Sequence, residues 1–106
     1  SEISNDMMIA ILRDYISLAI RGRYHVSSTF GVSVEPHMIE ILDLQRLGKG
    51  VAHGFLVQVK VKPHTEANQQ IGEDHLTFQI SNGYVRLLEF KHVQDLPIAN
   101  TINNGG

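Results

Sequence analysis

The stretch Phe55-Leu56-Val57-Gln58-Val59-Lys60-Val61-Lys62-Pro63 decides the fold. Phe55, Val57, Val59 and Val61 recur at every second position and alternate with Leu56, Gln58, Lys60 and Lys62. That is the period of a strand with one face packed and the other in water. Pro63 ends it. A half-buried strand of this kind belongs to an antiparallel sheet, and the sheet needs a second layer over its apolar face.

Toward the C-terminus, Leu76, Phe78 and Ile80 alternate with His75, Thr77 and Gln79. Ser81-Asn82-Gly83 follows as a hairpin turn, and Tyr84 to His92 supplies the last strand. Toward the N-terminus, Ile39 and Ile41 and then Leu42 and Leu44 predict a strand with one irregular step, a bulge. Gly48-Lys49-Gly50 marks its turn. Residues 64–73 read as a polar loop with only Ile71 for the core. Residues 24–36 read as a linker with one short strand, interrupted at Pro36. The second layer comes from residues 5–21, where Met8, Ile11, Leu12, Tyr15, Leu18 and Ala19 recur at helical spacing. Met7, Ile16 and Ile20 widen the stripe, so the helix is expected to be covered on more than one face. Ser4 is the expected cap and Gly22 the expected stop. The fold class is therefore α+β: one N-terminal helix packed on a curved antiparallel four-stranded sheet, a layout similar to cystatin-like or nuclear-transport-factor-like folds. Residues 1–93 form the domain, and 94–106 are expected to be a loose polar tail.

Composition narrows the chemistry by exclusion. The chain has 106 residues, 42% of them hydrophobic, enough for one core. Nine basic against eleven acidic residues give a net charge of −2, without the basic footprint of a nucleic-acid binder. There is no cysteine, which removes disulfides, thiolate metal sites and thiol nucleophiles. No apolar run is long enough for a transmembrane segment. No phosphate-cradling or dinucleotide motif is present, so no cofactor is expected.

The segment Asn68-Gln69-Gln70-Ile71-Gly72-Glu73-Asp74-His75-Leu76-Thr77-Phe78, followed by Phe90-Lys91-His92, resembles a family of small exported bacterial proteins from Bacillus-type Firmicutes, a domain of unknown function. Asn68, Gly72, Asp74, Thr77, Phe78, Phe90, Lys91 and His92 carry the resemblance. The chain departs from it at Thr65-Glu66-Ala67, where the family has a histidine, and at Gln69 and Gln70, where it tends to have proline. The resemblance implies an extracytoplasmic protein, secreted or in the cell envelope, and no known activity.

Six histidines, His25, His37, His53, His64, His75 and His92, raise metal binding and pH sensing. No two stand at ligand spacing, and the nearest mixed set is His64, Glu66 and Asp74. Asp74 also reads as a turn residue whose carboxylate accepts amides of the preceding turn. Phe78 and Phe90 belong to the core, Thr77 and Lys91 to the solvated face, and His92 to the strand end. Ser27, Ser28 and Thr77 lack the strained turn of a catalytic nucleophile, so no catalytic residue is assigned. Met7, Met8, Met38, Phe55 and Phe78 are the candidate lining of a pocket between helix and sheet. Gln58, Lys60, Lys62, Thr77, Gln79, Arg86 and Glu89 form the solvated sheet face, a candidate partner surface. The expected role is a non-catalytic extracytoplasmic binding or interaction module for a protein or small-molecule ligand, with a homodimer as one form. The alternatives are a small-molecule pocket enzyme of the nuclear-transport-factor-like type, or a histidine-based metal-binding or pH-sensing protein.

Overall fold

A computed structural model describes residues 2–24, 31–49 and 53–97, with the side chains of residues 2 and 3 excepted. The α-helix α1 runs Glu2–Tyr24. Strand β1 (Val32–Ser33) precedes a 3-10 turn, Pro36–Met38. Strands β2 (Ile39–Arg46), β3 (Phe55–Val61), β4 (His64–Thr65), β5 (Gly72–Ser81) and β6 (Tyr84–Asp95) follow. The main sheet is an antiparallel meander in the order β2-β3-β5-β6, and β1 pairs with β4 in a small ribbon.

Directly opposed residues share a face of a sheet, so the register defines four rows on the inner side. From the Val61 end of β3 these are Ile39–Val61–Asp74–His92, Ile41–Val59–Leu76–Phe90, Leu44–Val57–Phe78–Leu87 and Arg46–Phe55–Ile80–Val85. Leu12, Ile16 and Ile20 of α1 lie on the inner side with Val57, Val59, Val61, Leu76 and Phe78, and all eight are 0–1% exposed. Burying one such side chain is worth about 1.5–3 kcal/mol, so this seam is the main source of stability. The outer face carries Glu40, Gln58, Lys60, His75 and Thr77, with Lys60 Nζ 3.8 Å from Glu40.

Three register shifts interrupt the ladders, between Ile41 and Asp43, between Glu73 and Asp74, and between Thr77 and Phe78. The extra residues are Leu42, Val93 and Leu88, and each is 37–45% exposed. A bulged residue has no opposite partner, which accounts for three exposed apolar side chains, and bulges bend the sheet.

Several boundaries differ from the sequence reading. The helix starts at Glu2, so Ser4 lies inside it, and it continues through Gly22 to Tyr24. Glycine in a helix costs only about 1 kcal/mol, and Tyr24 is anchored at the far side, as described below. The helix is not covered on more than one face: Met7, Ile11, Tyr15 and Leu18 are 45–75% exposed. The loop 64–73 is ordered. Asn68, at φ 66°, takes a left-handed conformation, the Asn68 amide donates to the Thr65 carbonyl, and His64 bridges to Gln70. At the other hairpin, Asn82 (φ 47°) and Gly83 (φ 80°) form the turn their types favour. Strand β6 passes the expected end at His92 and reaches Asp95, and the Leu96 amide donates to the Ile71 carbonyl. The tail is therefore paired as far as Leu96, and residues 98–106 lie outside the described residues.

Candidate functional site

Asp74 shares its strand phase with Leu76 and Phe78 and points inward, where it is 0% exposed. A carboxylate taken from water needs strong partners. It has two. The Tyr24 hydroxyl, at the last residue of α1, donates to Asp74 Oδ2 at 2.7 Å, and His92 Nδ1 lies 2.6 Å from Oδ1. His92 Nε2 lies 2.8 Å from Asp95 Oδ1. Ionised carboxylates only accept, so both contacts are satisfied when both ring nitrogens carry protons. The Tyr24 and His92 rings meet edge to face with centroids 6.0 Å apart. Burial of Tyr24, reinforced by its hydrogen bond to Asp74 and the negative charge there, pushes the phenol well above its usual range, against the opposing pull of Arg23.

Gly72 makes the contact geometrically feasible. A Cβ there would overlap the Tyr24 oxygen and come within 3.1 Å of the Gln94 carbonyl. The chain thus closes a polar cluster, Tyr24–Asp74–His92–Asp95, that ties the end of the helix to β5 and β6. No buried side-chain nitrogen or oxygen among the described residues lacks a partner.

The structure places the other candidates elsewhere. Asp74 does not accept amides of the preceding turn, because its inward phase turns it to Tyr24 and His92. His64, Glu66 and Asp74 are not brought together as ligands: His64 Nδ1 is 2.6 Å from the Lys62 carbonyl, and Glu66 is exposed beside Gly31. Among the described residues, no three or more of His, Cys, Asp and Glu could hold a metal ion as a group. His75 contacts Glu73 at 3.1 Å, while His37 and His53 are exposed. His25, Ser27 and Ser28 lie outside the described residues.

Of the motif residues, Asn68 makes a turn, Gly72, Asp74 and His92 meet at the cluster, and Phe78 is core. Phe90 packs against that core, whereas Thr77 and Lys91 stand on the outer face. Of the candidate pocket lining, Met38 borders the groove described below and the rest is core or surface. Phe78 and Met38 are buried, Met8 and Phe55 pack against the core, and Met7 is exposed. A groove of about 620 Å³, bordered by Met38, opens between Arg13, Ser17 and Arg21 of α1 and the β1–β4 ribbon, spanned by the 3.1 Å Arg13–Glu35 ion pair. Among the described residues, no helix is long and apolar enough to cross a membrane.

The sequence reading missed Tyr24, placed at the start of a linker, and Asp95, placed in the tail. The available signal was the parity of Asp74: two and four residues before Leu76 and Phe78, it had to face inward.

These features define a small α+β domain, a single helix laid across a bulged antiparallel sheet and pinned by a buried tyrosine–aspartate–histidine cluster. The chain belongs to the family described as Protein of unknown function (DUF3888), which it matches over residues 4–94. No curated protein and no solved structure matches it.

Proposed function

We propose that the protein is a non-catalytic binding or interaction module that works outside the cytoplasm of a Bacillus-type bacterium. The observation that carries this reading is the apolar ridge Met7, Ile11, Tyr15 and Leu18, 45–75% exposed along one side of α1. Single exposed apolar residues are ordinary, but a contiguous ridge marks an interaction surface. The polar cluster favours the same reading, because Tyr24, Asp74 and His92 direct their polar atoms at one another. The extracytoplasmic placement is supported by the resemblance of residues 68–92 to exported proteins, and the cysteine-free composition is compatible with it.

The test is photo-crosslinking in the producing cell from a photoreactive residue at Leu18, with the same residue at Gln58 on the outer sheet face as the control. The reading expects a crosslinked protein from Leu18 and none from Gln58. Equal yields from both, or none from Leu18, would overturn it.

A further inference from the structure

The groove between α1 and the β1–β4 ribbon has two ordered walls. Arg13, Ser17 and Arg21 stand four residues apart along one stripe of the helix. The opposite wall is the ribbon and the turn that leaves it. In that turn the Thr65 amide donates to the Gln69 carbonyl, the Asn68 amide to the Thr65 carbonyl and the Gln69 amide to the Thr65 hydroxyl. These bonds fix Glu66 and Asn68 at the edge of the groove. Its floor is apolar, with Val34 and Met38 buried and Val32 half-buried.

The charges of the two walls stand in two opposed sets, and only one is closed. The chain returns from the end of α1 along the helix and brings Glu35 to Arg13, at 3.1 Å. From Arg13 to Arg21 the helix rises about 12 Å. From Glu35 back to Gly31 the extended chain covers about 13 Å. Gly31 therefore comes level with Arg21. A Cβ at Gly31, where φ is 65°, would lie 2.9 Å from the Glu66 carboxylate, so the glycine leaves that carboxylate room against the backbone. Arg21 and Glu66 thus stand level on opposite walls. Both are exposed, and among the described residues no ion pair engages either.

We propose that this end of the groove binds a small zwitterion, a free amino acid or short peptide, with its carboxylate on Arg21 and Ser17 and its ammonium on Glu66 and Asn68. A guanidinium takes a carboxylate through two parallel hydrogen bonds, and the Ser17 hydroxyl, one helical turn away, adds a donor. The Glu66 carboxylate and the Asn68 side-chain carbonyl accept from the ammonium. The apolar floor receives the side chain of the ligand. The volume of about 620 Å³ suits a ligand of this size. The same layout rejects simpler ions. A lone anion such as phosphate meets Glu66, Glu35 and Asp14, and a lone cation meets Arg21 and Arg13. The site goes beyond the interaction-module reading and uses a different side of α1 from the Met7–Leu18 ridge.

NMR titration of the full chain with leucine and with leucyl-leucine, to millimolar concentration, tests this. Amide shifts should be confined to the residues around Ser17, Arg21, Val32, Glu66 and Asn68, and the tighter of the two probes sets the length of the ligand. N-acetyl-leucyl-leucine lacks the ammonium and leucyl-leucinamide the carboxylate. Each should bind roughly 10-fold more weakly than leucyl-leucine, the loss expected of one charge-assisted contact. Arg21→Gln should abolish the preference over the amide alone, and Glu66→Gln the preference over the acetylated form alone. Both side chains are exposed, so urea unfolding of the variants should match the wild type. Absence of shifts with both probes, shifts away from the groove, or blocked peptides that bind as tightly as leucyl-leucine would each overturn the proposal. A chain that binds neither probe while Leu18 still crosslinks in the cell keeps the interaction-module reading and loses only the groove site.

Discussion

Replacing Gly72 by alanine should unlatch the helix, and the damage should depend on one oxygen atom. The new Cβ would overlap the Tyr24 hydroxyl, so the phenol must swing away from Asp74. The loss of a hydrogen bond to a buried charge costs about 1.5–3 kcal/mol, and the crowding adds about 1–3 kcal/mol. Relief of glycine's entropy in a strand returns about 0.5–1 kcal/mol. Gly72→Ala should therefore destabilise the fold by about 2–5 kcal/mol. Tyr24→Phe removes the same hydrogen bond without crowding and should cost about 1.5–3 kcal/mol. In the Tyr24→Phe background the alanine Cβ meets ring carbon Cζ at 3.2 Å and the Gln94 carbonyl at 3.1 Å, contacts relieved by shifts of a few tenths of an ångström. Its added cost there should fall to about 1 kcal/mol or less, within the range of mild overpacking. Urea unfolding of the four proteins at pH 7, followed by circular dichroism, gives the cycle. The expected coupling is about 1.5–3 kcal/mol, the size seen for residues in direct contact. If the two changes add to within about 0.5 kcal/mol, the hydroxyl is not lodged against Gly72 and the reasoning fails.

Other consequences are separable. Asp74→Ala strips Tyr24 and His92 of a shared partner and should cost about 3–5 kcal/mol in urea unfolding, as for broken buried pairs, whereas Asp74→Asn, which still accepts from Tyr24, should cost less. The phenol of Tyr24 is held above its usual value of 10.0 chiefly by burial, so the neutral form is the one the fold favours. Its stabilising contribution is complete below pH 10 and declines as pH rises beyond it, because the unfolded chain then binds fewer protons than the folded one. The stability difference between wild type and Tyr24→Phe should be flat from pH 7 to 10 and shrink above, and a difference that grows above pH 10 would contradict this. Gly83→Ala meets no atom within 4 Å yet must hold φ near 80°, so it should lose about 1–2 kcal/mol in thermal unfolding from backbone conformation alone.

The strands were legible because their signal is local. The alternation in Phe55–Val61, the Asn82-Gly83 turn and the irregular step at Leu42 each depend on neighbours in sequence. Tyr24, Asp74 and His92 are 50 and 18 residues apart along the chain; the register of β5 on β6 joins Asp74 to His92, and the lie of α1 on the sheet brings Tyr24 to them. The bulge between Glu73 and Asp74 shifts that register, and no local pattern marks it. The helix ends were misplaced for a related reason: local capping rules favoured a stop at Gly22, while the distant Asp74 carboxylate holds the next turn in place. The exposed ridge was hidden by its own residue types, since Met7, Ile11 and Leu18 look like core until the sheet shows which side of the helix it takes.

The account turns on whether the apolar ridge of α1 is a surface that a partner covers. Carbene footprinting of the purified chain, alone and in an extract of the producing cell, reads this directly. Met7, Ile11 and Leu18 should label freely in the purified chain and be protected in the extract, with Gln58 and Thr77 unchanged. Ridge labelling that is the same in both would contradict it.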